Sequence, residues 1–281
     1  MKITEEQLKV LATLKCERLS SDDNNLRLVE EFFNKKESLS NTLKNEAYED
    51  DEAGNIVYYL IKDSENNILF YFSLKCGVLY DKYINGELYQ QLKGVVDNLI
   101  QLSLDEKTSE ADKKIIDTIL CDVRNRKGIA KKSLSSISRK NTTIEEFEKM
   151  MGDNTEKVGA TFAGIEIVQF CRNEENNKWS SCGIDKKLGV IVFWNFIVPI
   201  VLKVREYVGC QYLFLFAADE SEDENLVNYY KYWLKFKQDE NLKTAMPLYD
   251  LKCKFLYQEA GSLAEKREKF FNNFNPDEDD V

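Results

Sequence analysis

Histidine is absent from the 281 residues. That absence removes Ser-His-Asp and Cys-His catalysis, histidine-ligated zinc and haem, and any histidine pH switch. Chemistry must therefore come from carboxylates, tyrosine, lysine, cysteine, serine or backbone amides. No CxxC pair occurs either. The seven cysteines (Cys16, Cys76, Cys121, Cys171, Cys182, Cys210 and Cys253) are odd in number, scattered and mostly set in apolar surroundings such as FSLKCG and VGCQYLFL. They read as free thiols of a reducing compartment, with neither a disulfide framework nor a metal site. The longest apolar run, VIVFWNFIVPIVL from Val190 to Leu202, is shorter than the ~18–20 residues of a bilayer span and contains Asn195 and Pro199. It is expected to be a buried element. The opening MKITEEQLKVLATLKCERL is charged throughout and lacks the apolar core of a signal peptide. A cytoplasmic protein without a membrane partner is the expectation. Basic charge is also in short supply: 49 acidic against 39 basic residues give a net charge of −10, opposite in sign to most duplex-DNA binders and anionic-membrane coats.

Apolar residues make up 43% of the chain, enough to build a core and too many for a disordered polymer. The first 47 residues show helical spacing in Leu8, Leu11 and Leu14 and again in Leu28, Phe32 and Leu39. Ile56 to Lys62 and Ile68 to Cys76 then read as a hairpin closed by DSENN. Residues 81–151 turn polar and mostly helical. A strand follows in GATFAGIEIVQF, then the apolar run, in which Pro199 implies a kink or two elements. CQYLFLFA reads as a strand buried on both faces. Ser221 to Glu224 fits a capping box opening the helix ENLVNYYKYWLKF, and YDLKCKFLYQ is a last strand before a charged helix and an acidic tail. The fold class is mixed α/β.

Four pieces of the second half, in this order, resemble the Gcn5-related N-acetyltransferase (GNAT) family. Gly164-Ile-Glu-Ile-Val-Gln-Phe170 looks like the family's central strand with its glutamate. Lys186-Lys-Leu-Gly189-Val-Ile191 lies where the family has its pyrophosphate loop, with lysine in place of the first Arg/Gln and only one of the two small residues. REYVGCQYLFLFA is similar to its helix, glycine and buried strand, and Leu226 to Phe236 to its FYEKLGF segment, one residue longer in the Tyr-to-Phe spacing. The resemblance implies a central, mostly antiparallel sheet flanked by helices. It divides the chain into 1–80 (first half of the domain), 81–151 (a helical insertion), 152–260 (the acetyl-CoA-binding half) and 261–281 (C-terminal helix and tail). It also implies acetyl-CoA as co-substrate, held by Phe170, Cys171, Arg172, Lys186, Lys187, Gly189, Val190 and Ile191.

The chemistry has simple demands. An amine with a pKa of about 10.4 must lose a proton, the tetrahedral oxyanion needs a backbone donor, and the departing thiolate benefits from an acid. Glu166, a carboxyl in an apolar strand, suits the base if it is desolvated, though it could equally point to solvent opposite Ile165 and Ile167. By resemblance Tyr230 is the acid, with Tyr229 as its alternate; either could be core packing. The amides around Phe170 to Arg172 would serve the oxyanion. Without histidine no cysteine has a base at hand, which favours direct attack over an acyl-cysteine. The function expected is acetyl-CoA-dependent N-acetyl transfer. Alternatives are a non-catalytic acyl-CoA sensor or protein-interaction module, and a toxin-type enzyme acting on an RNA-borne amine. The acceptor expected is a small-molecule or peptide amine, with nucleic acid an unlikely partner and a homodimer or protein partner conceivable through the insertion. Two charged features stay open. Arg124 to Lys140 carries seven basic residues and no acidic one, and acidic clusters at Glu49–Glu52 and Asp219–Glu224 could attract a cationic amine or simply be solvated surface.

Overall fold

The computed structural model describes residues 5–81, 86–152, 156–175, 188–219, 221–238, 241–245 and 253–273. The chain divides into two compact units, one made of Met1–Gly77, Ala163–Gln238 and Met246–Val281, the other of Val78–Phe162 and Asp239–Ala245. The expected insertion, 81–151, falls inside the second unit, which takes in further residues at both ends and a short return segment.

The first unit begins with α1 (Glu5–Thr13), β1 (Lys15–Arg18), α2 (Asn24–Val29), α3 (Glu37–Asn45) and α4 (Ala47–Glu52). β1 corrects the all-helical reading of this region. Its four residues KCER show no apolar alternation, and they become a strand only because they pair with β2 (Val57–Lys62), Cys16 opposite Ile61. β2 and β3 (Ile68–Asp81) form the expected antiparallel hairpin. Its turn is built by Asp63, whose Oδ1 accepts from the N–H groups of Glu65 and Asn67, and by Asn66, which takes the left-handed conformation that Asn tolerates. The second unit holds α5 (Gly86–Leu104), α6 (Glu110–Arg124), β4 (Ile129–Ala130), α7 (Lys131–Ser138), α8 (Thr142–Met150) and β5 (Lys157–Val158), around a core of Val95, Leu99, Ile116, Leu134, Ile137, Ile144 and Val158.

The chain re-enters the first unit along β6 (Thr161–Arg172). Helix α9 (Leu188–Val192), a π-helical turn (Phe193–Ile197) and α10 (Val198–Tyr207) follow as one continuous helix. Pro199 stands at the start of α10; having no N–H, it cannot bond back to the preceding turn, and the wide π turn absorbs the defect. The helix, at 20 residues, exceeds the apolar run and by length and composition alone could cross a bilayer. In the fold, Val190 to Trp194, Ile197, Val198 and Val201 are almost wholly buried against strand residues such as Phe72, Ile165, Leu213 and Leu256. Next come β7 (Tyr212–Ala217), α11 (Asn225–Tyr232), β8 (Leu242–Lys243), β9 (Lys254–Glu259) and α12 (Leu263–Asn273). The sheet order is β1-β2-β3-β6-β7-β9, with β8 on the end of β3. It is mostly antiparallel and flanked by helices, as the resemblance implies, and β6 and β7 pair in parallel. The capping box is corrected: Glu224 itself is left-handed, and α11 is capped instead by the Ser221 hydroxyl, which accepts from Asn225 N–H, and by Asp219, which accepts from Val227 N–H.

The acidic cluster at Glu49–Glu52 is likewise not all surface. Asp51 is fully buried. Its carboxylate accepts from Arg18 Nε at 3.0 Å and from the N–H groups of Ser20 and Tyr58, each at 2.8 Å, so one side chain ties β1, α4 and β2 together. Asp51→Ala should cost about 3–5 kcal/mol, because it strands two amides and a guanidinium. Arg18→Ala should cost far less, since that side chain is 41% exposed. Urea midpoints of the two variants against wild type give the comparison.

Candidate functional site

The site is where two strands part. β6 and β7 pair in parallel at four positions, from Gly164 opposite Tyr212 to Ile167 opposite Leu215. Beyond that row β7 remains paired with β9 up to Ala217 opposite Lys254, while β6 runs on to Arg172 with no register partner in β7.

The parting coincides with a slip in the alternation of β6. In a regular strand the N–H and C=O of one residue serve the same edge, successive residues serve opposite edges, and successive side chains lie on opposite faces. Ala163 C=O accepts from Gln211, at the start of β7, so the odd-numbered residues should all face β7. Gln169 N–H instead reaches the Ser73 hydroxyl of β3 at 3.1 Å, and Asn173 N–H reaches Leu69 C=O at 2.9 Å. The side chains agree. Ile165 and Ile167 join the core under the long helix, yet Phe170 packs against that same core and Cys171 lies in the opposite one, with Leu19, Tyr58 and Tyr71. One residue between Ile167 and Gln169 is therefore extra, the signature of a β-bulge, which bends a strand away from its neighbour. The Ser73 side chain, fully buried, also bonds to Gln169 Oε1 and holds the slip in place.

Glu166 sits immediately before the slip, on the face opposite Ile165 and Ile167, beside Phe214. It is 6% exposed, and Lys75 Nζ from β3 lies 3.2 Å from its Oε2. Burial raises its pKa above the ordinary carboxylate range, and Lys75, by charge and hydrogen bond, offsets part of that rise. The bland alternative, a solvated carboxylate, does not hold. Lys75 has no motif to mark it; it is found only once β3 is known to lie beside β6.

On the other side of the opening lies the long helix, described from Leu188 onward. Gly189 lies there, but its missing side chain is already used: a Cβ would fall 2.6 Å from the Tyr229 hydroxyl and 3.2 Å from the Phe170 ring. Tyr230 is 8% exposed, with its ring centroid 6.4 Å from that of Phe170. Burial foremost, then the Cys171 thiol of β6 and the Asp219 carboxylate just past β7, push its hydroxyl well above the ordinary tyrosine range. Burial does the same for Tyr229. Both stay protonated.

The structure thus brings together Phe170, Gly189, Tyr229 and Tyr230, and leaves Glu166 on the other face of β6 beside Lys75. Cys171 packs in the other core, though its thiol acts on the Tyr230 hydroxyl, and burial foremost pushes that thiol up to about 12. Arg172 C=O accepts from Asn34 Nδ2, so its peptide is already engaged. Val190 and Ile191 bury their side chains completely and can offer only backbone. Lys186 and Lys187 lie outside the described residues.

Solved structures align with this chain, among them the following. A tyrosine-to-phenylalanine mutant of KacT has a TM-score of 0.49 at 11% identity, over 90% of this chain and 99% of that one. AtaTR bound with acetyl-CoA has a TM-score of 0.46 at 13% identity, over 91% and 98%. AtaT complexed with acetyl-methionyl-tRNAfMet has a TM-score of 0.43 at 13% identity, over 90% and 98%. No protein-family model matches the chain, and no characterised protein matches it in sequence. The partner expectation is corrected at this point: AtaT is seen with a charged tRNA, against a small-molecule or peptide amine with nucleic acid unlikely. Net charge is a weak ground for excluding nucleic acid, because it averages a whole chain, whereas a polyanion meets only one face of it.

Gly189→Ala should destabilise the protein by about 1–3 kcal/mol through overpacking. Adding Tyr229→Phe, which removes the clashing oxygen, should recover much of the loss. A double-mutant cycle in denaturant showing strict additivity would contradict this packing.

Proposed function

We propose that the chain is a GNAT-type N-acetyltransferase that uses acetyl-CoA and acts on an amine carried by RNA. The observation that supports it most is the parting of β6 from β7 at the slip after Ile167. It leaves a strand edge at Phe170 to pair with an amide-bearing arm, beside Gly189, where by resemblance the pyrophosphate sits. Acetyl-CoA, when bound, supplies an acetyl group activated as a thioester. Glu166 takes the proton from the acceptor's ammonium; desolvation makes it a stronger base than a surface carboxylate. The Phe170 amide is the donor for negative charge developing on a carbonyl oxygen. Tyr230, held neutral, keeps a proton to give, with Tyr229 as its alternate. Direct attack is favoured because burial holds the Cys171 thiol protonated and makes it a poor source of thiolate. The RNA-borne acceptor rests on the basic segment 124–140. A cytoplasmic setting suits the free cysteines.

A second reading, an acyl-CoA sensor without turnover, is favoured by one observation: Tyr229 and Phe170 already fill the space beside Gly189. Calorimetry with acetyl-CoA, followed by thiol release with aminoacylated tRNA, separates the two. Wild-type turnover lowered at least 100-fold by Glu166→Gln and at least 10-fold by Tyr230→Phe is the expected result. Binding without thiol release supports the sensor, and no binding removes both.

The ionised Glu166 is the active form, so kcat/KM should fall as pH drops through its raised pKa. Lys75→Met removes the influence that holds that pKa down, and the acid limb of the profile should move to higher pH. An unmoved limb would mean that Glu166 is not the base.

A further inference from the structure

The segment 124–140 forms a rigid, exclusively polar cationic surface within the second unit. Helix α6 ends in a Schellman motif: Lys127 N–H bonds to Asp122 C=O at 2.9 Å and Arg126 N–H to Val123 C=O at 3.0 Å. The residue that must turn left-handed in such a motif is usually glycine, because a Cβ crowds the backbone there. Here it is Arg126, at φ 58°. The loop has no freedom to relax. Arg126 C=O accepts from Thr161 N–H, and a Cβ on Gly128 (φ 74°) would lie 2.7 Å from Val158 C=O. An arginine kept in a strained position, its side chain exposed, signals a use for the guanidinium beyond the fold.

The neighbouring cations separate by their partners. Lys127 pairs with Asp122 and Lys140 with Asp112, and Lys131 and Arg139 both act on Glu148. Arg124, Arg126 and Lys132 are exposed and make no ion pair among the described residues. The segment's large apolar side chains, Ile129, Leu134 and Ile137, are wholly buried, leaving only polar groups outward, with the Ser136 hydroxyl among them. A protein interface needs an apolar centre, whereas a phosphate backbone asks only for cations and hydroxyls held in place.

We propose that Arg124, Arg126 and Lys132 form a docking surface for the phosphate backbone of RNA, the carrier of the acceptor amine; the purpose of this surface rests on the acetyltransferase reading, its existence does not. The test is fluorescence anisotropy of the full chain with labelled, uncharged bulk tRNA at several salt concentrations and without acetyl-CoA, so that a failure of turnover and a failure of docking register separately. Wild type should bind with a steep salt dependence. Arg124→Gln and Lys132→Gln should each weaken binding several-fold and reduce the slope of log K against log salt by about 1.

Arg126→Gly is the discriminating variant. Relief of the left-handed strain should raise Tm by about 2–4 °C while RNA affinity falls several-fold. A residue kept for structure alone would not show a more stable protein that binds worse. The proposal is overturned if tRNA fails to bind wild type, if the three variants keep wild-type affinity and slope, or if Arg126→Gly lowers Tm. Polyglutamate displacing tRNA at equal charge concentration would overturn it in favour of an acidic protein, and duplex DNA displacing it equally well would remove the RNA assignment.

Discussion

A strand has two edges, and one residue's N–H and C=O both point to the same one. β6 lies between β3 and β7, and its odd-numbered residues begin on the β7 edge and finish on the β3 edge. That transfer of allegiance is the constraint on which the candidate site depends. Once Gln169 and Asn173 bond to β3, the N–H and C=O of Phe170 point to where β7 would have been, while β7 continues beside β9. The opening therefore arises from hydrogen-bond accounting, fixed by a buried serine hydroxyl one strand away.

The same transfer sorts the side chains. Before it, Glu166 is placed opposite the long helix, beside Lys75 and Phe214; after it, Phe170 swings to the helix side, against Gly189 and the two tyrosines. A carboxylate and two neutral hydroxyls thus sit on either side of one strand within a few residues of each other. Continuous alternation would have put Phe170 on the Glu166 face and left Gly189 without that ring.

Much of this was legible in the residues. The β2–β3 hairpin showed itself through two β-rich runs and a polar turn, β6 through β-branched and aromatic content, and β7 through its continuous apolar run. β1 was not legible, because KCER has neither alternation nor bulk and is recruited by β2. Asp51 looked like one more member of an acidic surface run, since nothing in YEDDE says which carboxylate turns inward. The slip in β6 leaves no trace in IEIVQF; its cause, Ser73, is almost a hundred residues away in sequence and becomes visible only when the strands are side by side. The Ser221-to-Glu224 pattern misled for a related reason: the spacing was right, but Glu224 pairs with Lys254, and Ser221 N–H, which Glu224 would have to reach, donates to Asp219.

That last residue has a consequence for how the protein meets acid. Helix α11, which carries both tyrosines, hangs from the Asp219 carboxylate. Burial alone would make it easier to protonate, but the Ser221 hydroxyl and the amides of Ser221, Leu226 and Val227 outweigh this and bring its pKa to about 2. Glu166 is shifted the other way. As acidity rises, Glu166 takes up its proton first, while the tyrosine helix still keeps its carboxylate anchor.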